Sequence, residues 1–243
     1  MSTMLDVALL EKYWREGPDG WEPLEASGLP AFRRCAGKGA PRLYLSAGIH
    51  GDEPAGPLAC AEWMRDAGFW QDWEVYLFPL LNPRGMRLGT RDSPEGVDLN
   101  RDYFLARTPE IAAHRQALAR LPRMDVAVCL HEDWEARGVY LYYLHPDQET
   151  DRARRVLESM GGIIPIEQAA EIDGRAAERG LIHRRAVDFE GELWPEAVYL
   201  GQHLAGPVFT LETPSSHPLP DRVRAHRAGV SEILRVFHPG RMA

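Results

Sequence analysis

Apolar residues gather along this chain into short, nearly unbroken runs, separated by stretches patterned as helices. The strongest runs are WEVYLFPLL (73–81), MDVAVCLH (124–131), GVYLYYL (138–144) and GPVFTLE (206–212), with PRLYLSAG (41–48) and the shorter AFRRCAG (31–37) alongside them. Apolar runs without strict alternation predict strands covered on both faces, as in a largely parallel sheet. Leu58, Ala59, Ala61, Trp63 and Met64 fall at helical spacing within a helix predicted over 55–67. Another helix follows TPE (108–110), with Thr108 as its cap and Pro109 in its first turn. Further helices are predicted at 147–160, at WPEAVYLGQHL (194–204) and at 220–237, and the N-terminal MSTMLDVALLEKYWREG reads as a short amphipathic helix. NPRGMRLGTRDSPEGVD (82–98) is expected to be a long irregular loop, and 161–193 a mixture of short strands and turns. Alternating strands and helices without repeats or linkers predict one α/β domain over 1–243. Its architecture is a three-layer α/β/α stack around a mixed, mostly parallel twisted sheet.

Composition narrows the function classes. The 243 residues carry a net charge of -8, which argues against nucleic-acid or anionic-membrane partners. No apolar run approaches the roughly 20 residues that cross a bilayer, and the N-terminus, with acids at Asp6 and Glu11, lacks a basic leader with an apolar core and is not expected to be a signal peptide. Cys35, Cys60 and Cys129 are odd in number and far apart. No disulfide framework is expected, and a reducing cytoplasm is the expected compartment.

Candidate chemistry enters at SAGIHGDEPAG, Ser46 to Gly56, where His50 and Glu53 stand at the turn from a strand to a helix. Such turns lie at the carboxyl edge of an α/β sheet, where binding sites collect. His131 ends a second strand 81 residues after His50, too far for one helix face but suited to two strand ends converging. Two imidazoles and one carboxylate with an open fourth position form the ligand set of a catalytic zinc site. Between them lie Arg91 and, in DLNRDYF, the adjacent Asn100 and Arg101. An amide beside a guanidinium offers several donors to an anionic group. Arg84 and Arg87 read as solvated. Glu212 ends the apolar strand GPVFTLE, where solubility explains a carboxylate poorly. In HEDWEARG, Glu132 or Asp133 would either orient a ligand imidazole or form a solvated acidic turn. His145, His183, His203 and His217 read as ordinary histidines, and Cys129 as a packed core residue.

The set HGDE, NP…R…DLNRDY, a strand-end LH and TLE, spanning residues 48 to 214 in order, resembles the zinc metallocarboxypeptidase family, the carboxypeptidase A-like enzymes. It is most similar to their compact bacterial members near murein peptide amidases. The scaffold is shared with aspartoacylase and succinylglutamate desuccinylase, and NPRG…TRD…DLNRDYF is nearly as similar to those. The resemblance implies one zinc per chain held by His50, Glu53 and His131, with Glu212 as the base that activates a zinc-bound water. It implies that Arg91 polarises the scissile carbonyl, and that Asn100 and Arg101 hold a free carboxylate of a small peptide or acyl-amino-acid substrate. Hydrolysis of an amide beside that carboxylate is the expected activity. The alternatives are an N-acyl amino acid deacylase and a zinc-dependent peptide binder without turnover. The mobile tyrosine of larger relatives has no motif here; Tyr199 is a candidate by position only and stays unassigned.

Overall fold

The computed structural model describes residues 7–70, 72–147, 150–238 and 240. Along the chain come α1 (Val7–Glu16), β1 (Glu22–Pro23), β2 (Phe32–Arg34), β3 (Arg42–Ala47), α2 (Ala55–Met64) and β4 (Glu74–Phe78). Then follow α3 (Pro83–Leu88), α4 (Pro109–Leu118), β5 (Val126–Asp133), β6 (Tyr140–Leu144) and α5 (Asp151–Gly161). The remainder is β7 (Glu171–Ile172), β8 (Arg175–Ala176), β9 (Leu181–Arg184), α6 (Glu196–His203), β10 (Val208–Pro214) and α7 (Leu219–Val236).

Eight strands form one sheet in the order β1-β2-β4-β3-β5-β10-β6-β9, while β7 and β8 make a separate hairpin. The central four, β4, β3, β5 and β10, run parallel; β1, β2 and β6 supply the antiparallel pairings and β9 runs parallel to β6. This is the mixed, mostly parallel sheet that the apolar runs predict. Alternate residues divide the core in two. Leu43, Leu45, Val128, Leu130, Phe209 and Leu211 pack with α2, α5 and α7 on one face. Tyr44, Ala127, Cys129 and Val208 pack with α4 and α6 on the other. Full burial of an apolar side chain is worth about 1.5–3 kcal/mol, so a polar residue slipped into either face is strongly selected against. A one-residue slip in register would swap the two sets.

Two departures from the sequence reading have local causes. The expected irregular loop contains α3: the Asn82 side chain accepts from Gly85 N at 2.8 Å, Pro83 opens the first turn, and Gly89 closes it at φ 65°. That is a complete capping signature around a six-residue helix. Thr108 stands at the start of α4 without capping it: its side chain turns toward Asp102, and its hydroxyl donates to Asp102 Oδ2 at 2.8 Å. Asp102 also accepts from Arg107 N and Thr108 N, and so organises this corner itself. Helix α5 begins at Asp151 rather than 147, with 148–149 outside the described residues. Likewise α1 begins at Val7, and the predicted residues 1–6 lie outside them. Residues 161–193 resolve into the β7–β8 hairpin, strand β9 and a 3-10 turn at 186–188. Among the described residues no helix is long and apolar enough to cross a membrane.

Candidate metal centre and surrounding pocket

The chain leaves β3 through Gly48, whose φ of 63° suits glycine, and turns back sharply so that His50 and Glu53 both face the sheet's carboxyl edge. Gly51, between them, lies so close to α3 that a Cβ there would stand 2.1 Å from the Gly85 carbonyl carbon. Its N–H donates to Arg91 O at 3.2 Å, and Asn82 Nδ2 donates to the same oxygen at 3.3 Å. The ligand turn and the Arg91 loop are therefore held as one unit by α3. On the other side, Ala55 N at the start of α2 donates to Glu132 Oε1 at 2.6 Å, and Arg222 of α7 pairs with Glu132. This locks the residue after His131 to the segment after Glu53.

His50, Glu53 and His131 are all buried, and one donor atom from each lies within 4.8 Å of the others. Both imidazoles present Nδ1 to the same carboxylate, His50 at 2.5 Å from Oε1 and His131 at 3.0 Å from Oε2. Burial disfavours charge on His50, yet the carboxylates of Glu53 and Asp98 win and raise it to about 9. Burial likewise opposes charge on Glu53, but the two imidazoles hold its carboxyl well below the usual range. Protons thus bridge donors that a divalent cation would join, and a cation binding here would release them. The donor chemistry, two imidazole nitrogens and one carboxylate, fits zinc.

The sequence reading did not assign Asp98 a role. Its Oδ1 lies 3.3 Å from His50 Nε2, the nitrogen turned away from Glu53. An acceptor at that position fixes the tautomer and orientation of a ligating imidazole. Glu132 and Asp133, the earlier candidates for that task, are engaged elsewhere: Glu132 with Ala55 and Arg222, Asp133 with the Tyr140 hydroxyl at 2.9 Å and Glu135 N at 2.7 Å. The signal for Asp98 lay in DLNR, but its pairing with a residue 48 positions away is a tertiary fact.

Arg91 reaches over the three donors, with Nη1 at 3.2 Å from His50 Nδ1 and 3.4 Å from Glu53 Oε1, and Nη2 at 3.4 Å from Asp98 Oδ2. Asn100 and Arg101 sit in a 3-10 turn started by Asp98, whose side chain accepts from Asn100 N at 2.8 Å. The Asn100 side-chain oxygen accepts from Glu196 N at 2.8 Å, while Arg101 Nη1 donates to Asn100 O at 2.9 Å. Arg84 and Arg87 are not simply solvated: Arg84 pairs with Glu95 and Glu110, and Arg87 with Glu11.

Glu212 lies inside β10, directly opposite His131 of β5 and Tyr140 of β6. Burial pushes its carboxyl above the usual range; Glu53 and Asp133 add to the shift while His131 and Arg91 oppose it. A carboxyl poised closer to neutrality is suited to proton transfer. Tyr199, a partly buried residue of α6, packs between the rings of Tyr103 and His203, with the Arg115 guanidinium 4.9 Å from its centroid. Among the described residues, His50, Glu53 and His131 form the one grouping able to hold a metal; the other histidines do not join it.

The model of the succinylglutamate desuccinylase/aspartoacylase catalytic domain matches residues 39–212, the stretch that begins before β3 and ends on Glu212. The chain belongs to this family. No curated protein matches the sequence. Among solved structures, a protein from Shewanella amazonensis provisionally named a metallopeptidase superposes with TM-score 0.80 at 23% identity, covering 96% of this chain and 92% of its own. A counterpart from Shewanella baltica, provisionally named likewise, gives 0.78 at 26% identity, covering 95% and 91%. The cell shape determinant protein Csd4 of Helicobacter pylori, solved with product bound, gives 0.62 at 19% identity, and this chain spans 86% of itself but 55% of Csd4. The fold shared with these proteins is the metallocarboxypeptidase-like α/β fold expected from the sequence.

Proposed function

We propose that this family member is a zinc-dependent hydrolase, in one catalytic domain, that cleaves an amide bond next to a free carboxylate. The observation that carries the proposal is the convergence of one donor atom each from His50, Glu53 and His131 within 4.8 Å, with Glu212 in register beside His131. His50, Glu53 and His131 would hold the zinc, which supplies Lewis acidity at the scissile carbonyl. Glu212 takes the proton of the attacking water and returns it to the leaving amine; its raised carboxyl pKa favours both halves of that cycle. Arg91, beside the ligands, stabilises the charge that develops on the carbonyl oxygen. Asn100 and Arg101 receive the substrate's carboxylate, the guanidinium through paired N–H donors. Asp98 keeps His50 turned so that Nδ1 faces the metal.

Two substrate classes fit this chemistry. A metallo-carboxypeptidase and a tripeptide-bound Csd4 among the structural neighbours favour small peptides, and the resemblance to murein peptide amidases extends these to cell-wall peptides. The family match favours N-acyl amino acids as substrates of a deacylase. The experiment is hydrolysis by zinc-loaded protein of a panel of dipeptides, murein tripeptides, N-acetyl-amino acids and N-succinyl-amino acids, each as free acid and as amide. Turnover confined to free acids supports the proposal, and the preferred half of the panel assigns the class. Tight peptide binding with no turnover on any member would replace it with a non-catalytic peptide binder.

A further inference from the structure

The sheet face beneath the candidate ligands carries a buried polar chain that the proposed chemistry does not use. Tyr44 of β3, Tyr103, His114 of α4 and Glu196 at the start of α6 are each at most 1% exposed. The Tyr44 hydroxyl donates to Glu196 Oε1 at 2.5 Å and lies 2.9 Å from His114 Nε2. The Tyr103 hydroxyl lies 2.6 Å from His114 Nδ1. Burial pulls the His114 pKa down to about 3, which keeps the imidazole neutral. With the single Tyr44 proton going to Glu196, a neutral His114 donates Nε2–H to the Tyr44 oxygen and accepts at Nδ1 from Tyr103. Every bond in the chain has a fixed direction, from Tyr103 to His114 to Tyr44 to Glu196.

Both ends of this chain return to the same 3-10 turn. Glu196 N–H donates to the Asn100 side-chain oxygen at 2.8 Å, and Tyr103, three residues past Asn100, donates its N–H to Trp194 O at 3.3 Å. A closed circuit results, running from the turn to α6, through the sheet and α4, and back to the turn. With Oδ1 engaged by a backbone N–H, the Asn100 amide has one orientation and turns its Nδ2 donors away from α6. Hydrogen bonds in a low-dielectric core rigidify what they join, and breaking one leaves a costly unpaired group; of the Glu196 carboxyl, Oε1 makes such a bond and Oε2 has no hydrogen-bond partner among the described residues.

We infer that Glu196 is a positioning residue for the substrate-carboxylate clamp. Its backbone orients Asn100, and its side chain, through Tyr44, His114 and Tyr103, fixes the turn that carries Arg101. This inference rests on the clamp role proposed above for Asn100 and Arg101. Glu196 touches no reacting atom, so its effect belongs in KM for free-acid substrates rather than in kcat.

The test compares Glu196→Ala, Glu196→Gln and Arg101→Ala on the best free-acid substrate of the panel and on its amide. Glu196→Ala keeps the backbone N–H but releases the side-chain anchor. KM for the free acid should rise ~3–10-fold, the scale of one neutral hydrogen bond, with kcat within about twofold and the amide unaffected. Glu196→Gln retains an oxygen for the Tyr44 hydroxyl and should restore the wild-type KM. If Glu196→Ala yields too little folded protein, Tyr103→Phe removes one hydroxyl of the circuit and should raise the same KM. An Arg101→Ala variant that loses free-acid preference beside a Glu196→Ala variant with wild-type KM overturns this inference alone. Unchanged preference in Arg101→Ala overturns the clamp, and the inference with it.

Discussion

Glu212 and His131 face each other across adjacent parallel strands, paired residue to residue in the β10–β5 register. Partners in such a register project to the same side of the sheet, with strands about 4.8 Å apart. The proposed proton-transfer group and the proposed metal ligand are thereby set at a fixed separation by backbone hydrogen bonds rather than by flexible loops. His50 and Glu53, in contrast, sit on a turn. That turn is braced by α3 behind Gly51 and by Glu132, which accepts from Ala55 N and binds Arg222.

Zinc content tests the ligand assignment. Purified wild-type protein should contain one zinc per chain by elemental analysis, and His50→Ala should contain almost none. Asp98→Ala retains all three ligands but loses the acceptor on His50 Nε2; loss of such a support typically weakens metal affinity ~10–100-fold. Competition with a chelator should reveal that weakening. Equal, near-stoichiometric zinc in wild type and His50→Ala would mean that the metal sits elsewhere.

Arg101 should select for a free carboxylate. A hydrogen bond to a charged partner contributes roughly 1.5–3 kcal/mol, so Arg101→Ala should lose about ten- to a hundredfold in kcat/KM on the free acid. Wild type should already be poor on the amide. Comparable rates on acid and amide would remove the clamp from the mechanism.

Much of this site was legible in the sequence because its parts lie at the ends of apolar runs. His50, His131 and Glu212 each follow a stretch whose burial on both faces predicts a central strand, and such strands end at one sheet edge. The supporting groups were not legible, because their partners are distant in sequence. Asp98 pairs with His50, Glu132 with Arg222 and Glu196 with Tyr44, and no local pattern records such pairings. Helix α3 was missed for another reason: the glycines and proline that suggested a loop are the caps and first turn of a six-residue helix. Thr108 failed as a cap because its side chain turns toward Asp102, to which its hydroxyl donates, rather than toward the first N–H groups of α4.

The buried histidine of the polar circuit predicts a pH dependence of stability. Burial lowers His114 from its ordinary 6.5 to about 3. A depressed folded-state pKa means that the unfolded chain binds the proton first. The stabilisation is therefore complete above about pH 6.5 and is lost as pH falls toward 3, at up to about 1.4 kcal/mol per unit. Urea unfolding at pH 7.5, 6 and 5 should show wild type losing stability faster than His114→Gln, since carboxylate contributions are common to both. Parallel losses would show that His114 takes up its proton without unfolding.

Glu212→Gln separates a catalyst from a zinc-binding lookalike. The substitution keeps size and hydrogen-bonding capacity but removes the basic oxygen, so folding and zinc content should match wild type. The site Glu212 occupies is buried, and burial opposes charge there, so an uncharged glutamine of the same shape is tolerated. Little structural cost is therefore expected. General acid–base assistance is typically worth about 10²–10⁴ in rate, and that loss should appear in kcat. KM should change little, because Arg91, Asn100 and Arg101 still receive substrate. In wild type, the same carboxyl should give an acidic limb to the pH–rate profile, shaped jointly by the groups that titrate with it. That limb should vanish from the residual activity of the glutamine variant. A variant that loses its zinc would make Glu212 a fourth ligand. One that keeps zinc, full turnover and the acidic limb would place the proton shuttle on another residue.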